Sequence, residues 1–116
     1  MEKLFKQINL AGLENKVQEL TGQSIKLRKV SIIKNNKLFV EILSDELVDS
    51  VGILGSTLES VRIEGYGELT DIEGYPTLIV RLQFRYQHKS GGSNGLELLT
   101  AWYNFEETDA WQFRTV

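Results

Sequence analysis

Four carboxylates crowd the middle of the chain: Glu64, Glu68, Asp71 and Glu73. Paired carboxylates suit glycoside or phosphoester hydrolysis, in which one is held protonated and the other ionised a few ångströms away. The surrounding sequence alternates with a period of two, so Glu64 and Glu68 share one face of a strand. Residues four apart on a strand stand about 13 Å apart. That is too far for a working pair, and the cluster reads as a solvated acidic edge. His88, the single histidine, is a general base by type. No serine or acid is tied to it by spacing, and it reads as an exposed histidine beside a turn. Gly65-Tyr66-Gly67 and the run from Gly91 to Gly95 are glycine-rich, yet neither joins a strand to a helix N-terminus, and no phosphate-loop lysine accompanies them. A bulge and a hairpin turn are their simpler uses. The absence of cysteine excludes disulfides, thiolate metal sites and cysteine nucleophiles. No loop has calcium-ligand spacing. No catalytic residue, metal or cofactor is expected.

The residues best suited to recognition lie later in the chain. Arg81, Gln83, Arg85 and Gln87 occupy every second position of one run, with Trp102 and Asn104 in the run that follows. Arginine and tryptophan are the types most enriched at binding hot spots. They also stack on bases and contact phosphates. The chain is acidic, however, with a net charge of −3 and a pI of about 5.2, and a phosphate-binding surface needs more cations nearby. Another protein, or a second copy of the chain in a homo-oligomer, is the expected partner, rather than nucleic acid. A helix or a second protomer covering Trp102 is the competing explanation of that residue.

The elements that position these residues follow from hydrophobic periodicity. Leu4, Phe5 and Ile8, then Leu10, Leu13, Val17 and Leu20, follow a helical pattern. A phase change near Asn9 predicts a kink or two short helices, and Gly22 predicts a left-handed stop. Ile25–Ile33 and Leu38–Leu43 read as strands joined at Asn35-Asn36, since asparagine tolerates positive φ. Ser44 or Asp45 then suits the start of a short helix carrying Leu47, Val51, Leu54 and Leu58 on one face and ending near Gly55.

From Ser60 onward the period is two. Strands are expected over Ser60–Leu69, Thr77–Lys89, Leu96–Phe105 and Ala110–Val116, with a turn through Thr70–Pro76. In the longest run Leu78, Val80, Leu82 and Phe84 point one way, and the arginines and glutamines point the other. Placing Ser90 opposite Gly95 sets Phe84 against Ala101, Leu82 against Tyr103 and Val80 against Phe105. The expected fold is a single α+β domain over residues 1–116, with an N-terminal helical segment, a β-hairpin, a short helix and a C-terminal four-stranded antiparallel meander. The helices are expected to pack on one face of the sheet. This order resembles that of cystatin-like and nuclear-transport-factor-like folds, a likeness of element order that implies no activity.

Composition agrees with one globular domain: 116 residues, 41% hydrophobic and 25% charged. The longest stretch without a charge, Ser50 to Leu58, is nine residues, about half of a membrane span. Met1-Glu2-Lys3 opens directly into a charged amphipathic pattern, so a cytoplasmic protein without a secretory signal is expected. Charge is segregated, at +5 over residues 1–40, −8 over 41–80 and zero over 81–116. The lysines and arginine of the first hairpin, Lys26, Arg28, Lys29, Lys34 and Lys37, suit an edge guarded against pairing with other chains.

The reading that best fits is a non-enzymatic interaction module of inhibitor, immunity or adaptor type, of the kind phages and mobile elements carry, acting through a sheet face or edge. The alternative is a pocket-bearing ligand-binding domain or enzyme. In it the sheet curls around an apolar cavity, Tyr66, Tyr86 and Tyr103 supply hydroxyls, and Glu68 or Asp71 stands at the mouth.

Overall fold

The computed structural model describes residues 2–46, 58–88, 93–106 and 111–115. Two helices, α1 (Glu2–Gln7) and α2 (Ala11–Thr21), precede six strands: β1 (Leu27–Lys34), β2 (Lys37–Ser44), β3 (Leu58–Ile72), β4 (Tyr75–His88), β5 (Ser93–Tyr103) and β6 (Trp111–Thr115). The fold is α+β, built on one antiparallel sheet in which spatial order equals chain order, β1-β2-β3-β4-β5-β6. The first hairpin is therefore not a separate layer. β2 pairs with β3 from Leu38↔Leu69 to Leu43↔Glu64 and joins the hairpin to the later strands. The helix expected over Leu47, Val51 and Leu54 lies outside the described residues, and Leu58 belongs to β3.

Local chemistry sets the turns. Asn35 and Asn36 have φ of 54° and 61°, the two left-handed residues of a type I′ hairpin. Glu73 and Gly74 repeat this at 52° and 84°, so the expected turn over Thr70–Pro76 contracts to two residues. Pro76 lies within β4, opposite Asp71. Hydrogen-bonded and non-bonded pairs alternate away from a tight turn, so the proline nitrogen faces the side where β5 has already ended and no ladder bond is lost. Gly22 closes α2 at φ 73°, its N–H donating to Gln18 O at 2.8 Å. The helix start expected at Ser44 or Asp45 falls against residues outside those described. Ser44 ends β2 in the core, where its hydroxyl accepts the Ile63 N–H at 2.9 Å and donates to Glu46 O at 3.2 Å.

The β4–β5 register differs from the sequence expectation. Ala101 faces Val80 rather than Phe84, and Tyr103 faces Leu78 rather than Leu82, a slip of four residues. An even slip keeps every side chain on its own face, so alternation alone does not exclude it. Beyond Leu82↔Leu99 the register steps by one: Gln83 faces Glu97, and Leu98 is left as a bulge. β5 ends at Tyr103, so Asn104 and Phe105 lie beyond the strand.

One sheet face, here the inner face, carries the core: Val40, Ile42, Ile63, Val80, Leu82 and Leu99 are fully buried. Leu13 and Val17 of α2 belong to the same cluster. Polar contacts bind the helical segment to these strands. Tyr103 Oη donates to Gln7 O at 2.9 Å and accepts the Asn9 N–H at 3.2 Å. Trp111 Nε1 donates to Asn9 O at 2.6 Å, and Glu14 Oε2 accepts the Leu27 N–H at 2.8 Å. Lys29, expected to guard an edge, instead points inward. Its ammonium donates to the carbonyls of Phe5 at 2.7 Å and Ile8 at 2.6 Å and stands 4.9 Å from the Phe5 ring centroid. A cation at the C-terminal end of α1 satisfies orphan carbonyls and opposes the helix dipole.

Gly67 of β3 lies against the β4 backbone. A Cβ built there would fall on the Ile79 carbonyl oxygen, a backbone atom that cannot swing aside. Gly67→Ala is therefore expected to destabilise the fold by about 2 kcal/mol, measured by urea unfolding. Lys29→Met keeps the apolar stem and loses the charge-assisted bonds, with an expected cost of about 1.5–3 kcal/mol. Burial lowers the Lys29 pKa from its ordinary 10.5, so near that pH the unfolded chain binds more protons than the folded one. Wild-type stability should then rise relative to Lys29→Met as the pH climbs toward 10.5, a trend that pH-dependent unfolding measures directly.

Candidate functional site

The pleat that buries Leu78, Val80, Leu82 and Phe84 places Ile79, Arg81, Gln83 and Arg85 on the opposite, outer face. Arg81 is exposed, between Tyr66 on β3 and Thr100 on β5. Gln83 and Arg85 both engage Glu64 Oε1, with Gln83 Nε2 at 3.4 Å and Arg85 Nε at 3.2 Å. Gln87 lies on β4 opposite Ser60 and Ser93, and its side chain is outside the described residues. Trp102 is half-buried on β5 and pairs with Ile79, not Gln83. Asn104 is exposed in the turn after β5, where its Oδ1 accepts the Glu106 N–H at 3.0 Å. It caps a turn and does not lie beside Arg81.

The structure thus divides the residues singled out by the sequence. Arg81, Gln83 and Arg85 form one group. Trp102 stands beside Ile79, six residues along β4 from Arg85, or about 20 Å at a strand's rise. The intervening surface is filled by aromatic and apolar residues, of which alternation in the later strands pointed to Ile79 but not to Phe39. Phe39 of β2 stacks on Tyr66 of β3, with centroids 5.1 Å apart and planes at 11°. Tyr66 is 48% exposed and Ile79 is 45% exposed. Ile32 pairs with Phe39, so apolar side chains occur on this face from β1 to β5. The available signal was in β2, where Phe39 and Leu43 interrupt the polar half of the alternation.

Next to the Phe39–Tyr66 stack is an open cleft of about 290 Å³ lined by Glu41, Glu64, Tyr66, Arg81, Gln83 and Glu97. Arg85 neutralises Glu64, and Lys37 stands 3.9 Å from Glu68. Glu41, Arg81 and Glu97 make no ion pair among the described residues. No cluster of three metal-ligating groups occurs among those residues either. Tyr66 opens to the outer face, whereas Tyr103 is buried on the inner one. They do not line one cavity. Glu64 and Glu68 share the outer face, but each is matched to a different cation.

Among the described residues, no helix is long and apolar enough to cross a membrane. Comparison with protein-family models gave no match, and searches of curated proteins and of solved structures gave no significant one. The side chains of Arg85 and Glu64 are 45% and 44% exposed, so their ion pair contributes little to stability. Arg85→Ala is expected to change unfolding free energy by less than about 1 kcal/mol. A larger loss in denaturant titration would assign Arg85 to the framework rather than to the surface.

Proposed function

We propose that the chain is a small non-enzymatic protein-interaction module of inhibitor, immunity or adaptor type, in keeping with phage or mobile-element cargo, working in the cytoplasm on another protein. In this reading the helices cover the inner face of the sheet and leave the outer face for the partner. One observation supports it above others: half-exposed Tyr66 and Ile79 share the outer face with Trp102 and with Arg81, which makes no ion pair among the described residues. Aromatic anchors beside an arginine, ringed by polar groups, are the composition of a hot spot. No cofactor is invoked, and Gln83 and Arg85 serve at the rim. Gln87 extends the same alternation on β4, and Asn104 marks the border of the surface.

The polar cleft favours a second reading, in which a small polar ligand or substrate binds among Glu41, Arg81 and Glu97. It differs from the apolar cavity that the sequence suggested.

Affinity capture with tagged protein separates the two readings. Trp102→Ala and Arg81→Glu are each expected to weaken capture of a protein partner at least about 30-fold, the scale of a hot-spot truncation. Gln18→Ala, on the exposed side of α2, should leave capture unchanged. Capture that survives both outer-face substitutions would move the interaction elsewhere. A melting point raised by a metabolite, and lowered again by Arg81→Glu, would favour the ligand reading.

A further inference from the structure

We infer that the outer face binds a second copy of this chain, sheet upon sheet, about a two-fold axis that runs parallel to the strands between β3 and β4. The inference rests on the reading of this face as an interaction surface and names its partner.

Register carries the argument. A closed two-fold interface must be complementary to itself. Such an axis lays β2 over the partner's β5, β3 over its β4 and β1 over its β6, and it keeps each cross-strand row at its own level. One row runs Ile32, Phe39, Glu68, Ile79 and Trp102, so Glu68 comes over Ile79 of the other copy. The axis brings Phe39 over Trp102 of the other copy, twice. The adjacent row runs Val30, Glu41, Tyr66, Arg81, Thr100 and Arg114. Here the axis sets Tyr66 over the other copy's Arg81, a cation–π arrangement. It also sets Glu41 over Thr100, between the exposed guanidinium-bearing residues Arg81 and Arg114. Glu41 and Arg81, two of the groups that make no ion pair among the described residues, become each other's partners across the interface. The same axis sets Arg62 over Arg85 of the other copy, each guanidinium being already bonded within its own chain, Arg62 to Asp45 O and Arg85 to Glu64.

Size and composition agree. The molecule measures 47 × 31 × 22 Å, and its two longer dimensions match a strand of about 14 residues and a six-strand width. Such a face exceeds the roughly 800 Å² per partner of a standard interface. Aligned sheets pack about 10 Å apart, a gap that the aromatic side chains fill.

Sedimentation equilibrium over a concentration series tests the inference. Wild type is expected at twice the 13.2 kDa chain mass. Arg81→Glu and Glu41→Arg should each weaken dimerisation at least about 30-fold. The double variant carrying both changes should recover most of it, which general damage to the fold would not allow. Circular dichroism and melting curves confirm folding of each variant, and Ile79→Glu provides an apolar-side disruption independent of the charges. A monomer at about 500 μM, well above the dissociation constants of stable dimers, would overturn the dimer. So would single variants that dimerise as wild type does, or a double variant no better than either single one. If the chain is monomeric but outer-face variants still lose a different captured protein, the interaction reading stands and only the identity of the partner fails. If capture is also insensitive to the face, both fall.

Discussion

Two aromatic side chains from the far end of the chain hold the backbone around Asn9. Tyr103 bonds to Gln7 O and the Asn9 N–H, and Trp111 bonds to Asn9 O. These contacts span 94 to 102 residues of sequence. They join the N-terminal segment of the chain to β5 and β6. The rings lie 4.9 Å apart and bury apolar area while their polar ends satisfy carbonyls and an amide at the α1–α2 junction. Hydroxyl and indole donors buried with apolar rings are stable only when partnered. The break between the helices supplies those partners, since its backbone groups are not committed to helical bonds.

From that anchor the two faces of the sheet acquire different roles. Helical residues Leu13 and Val17 join the inner cluster, and Lys29 ties the end of α1 to β1. The outer face receives Tyr66, Ile79, Arg81 and Trp102 through the same pleat. The inner and outer sets are therefore linked: a one-residue slip in any central strand would expose the leucines and bury the arginines. The Leu98 bulge steps the register by one and still keeps Glu97 beside Gln83 on the outer side.

Charge follows the same logic. The basic first forty residues and the acidic middle meet as neighbours, through Arg28–Asp45 at 2.7 Å and Lys37–Glu68 at 3.9 Å. Segregation along the sequence thus becomes pairing across strands. Each such exposed pair is weak, and Glu41 and Arg81 take part in none among the described residues.

Much of this was legible in the residues themselves. The break near Asn9, the αL stop at Gly22, the Asn35-Asn36 turn and the division of β4 into an apolar and a guanidinium side all follow from φ preferences and side-chain period, which are local properties. The pleat likewise assigned Arg81, Gln83 and Arg85 to one face. Tertiary structure decided what depends on contacts between distant segments. It set the joining of β2 to β3, the four-residue slip between β4 and β5, and the placing of Trp102 beside Ile79 with Asn104 outside the strand. It also turned Lys29 inward to the carbonyls of α1. Alternation is blind to even shifts of register. Only the summed packing of neighbouring strands, with the bulge that it requires, selects one of them.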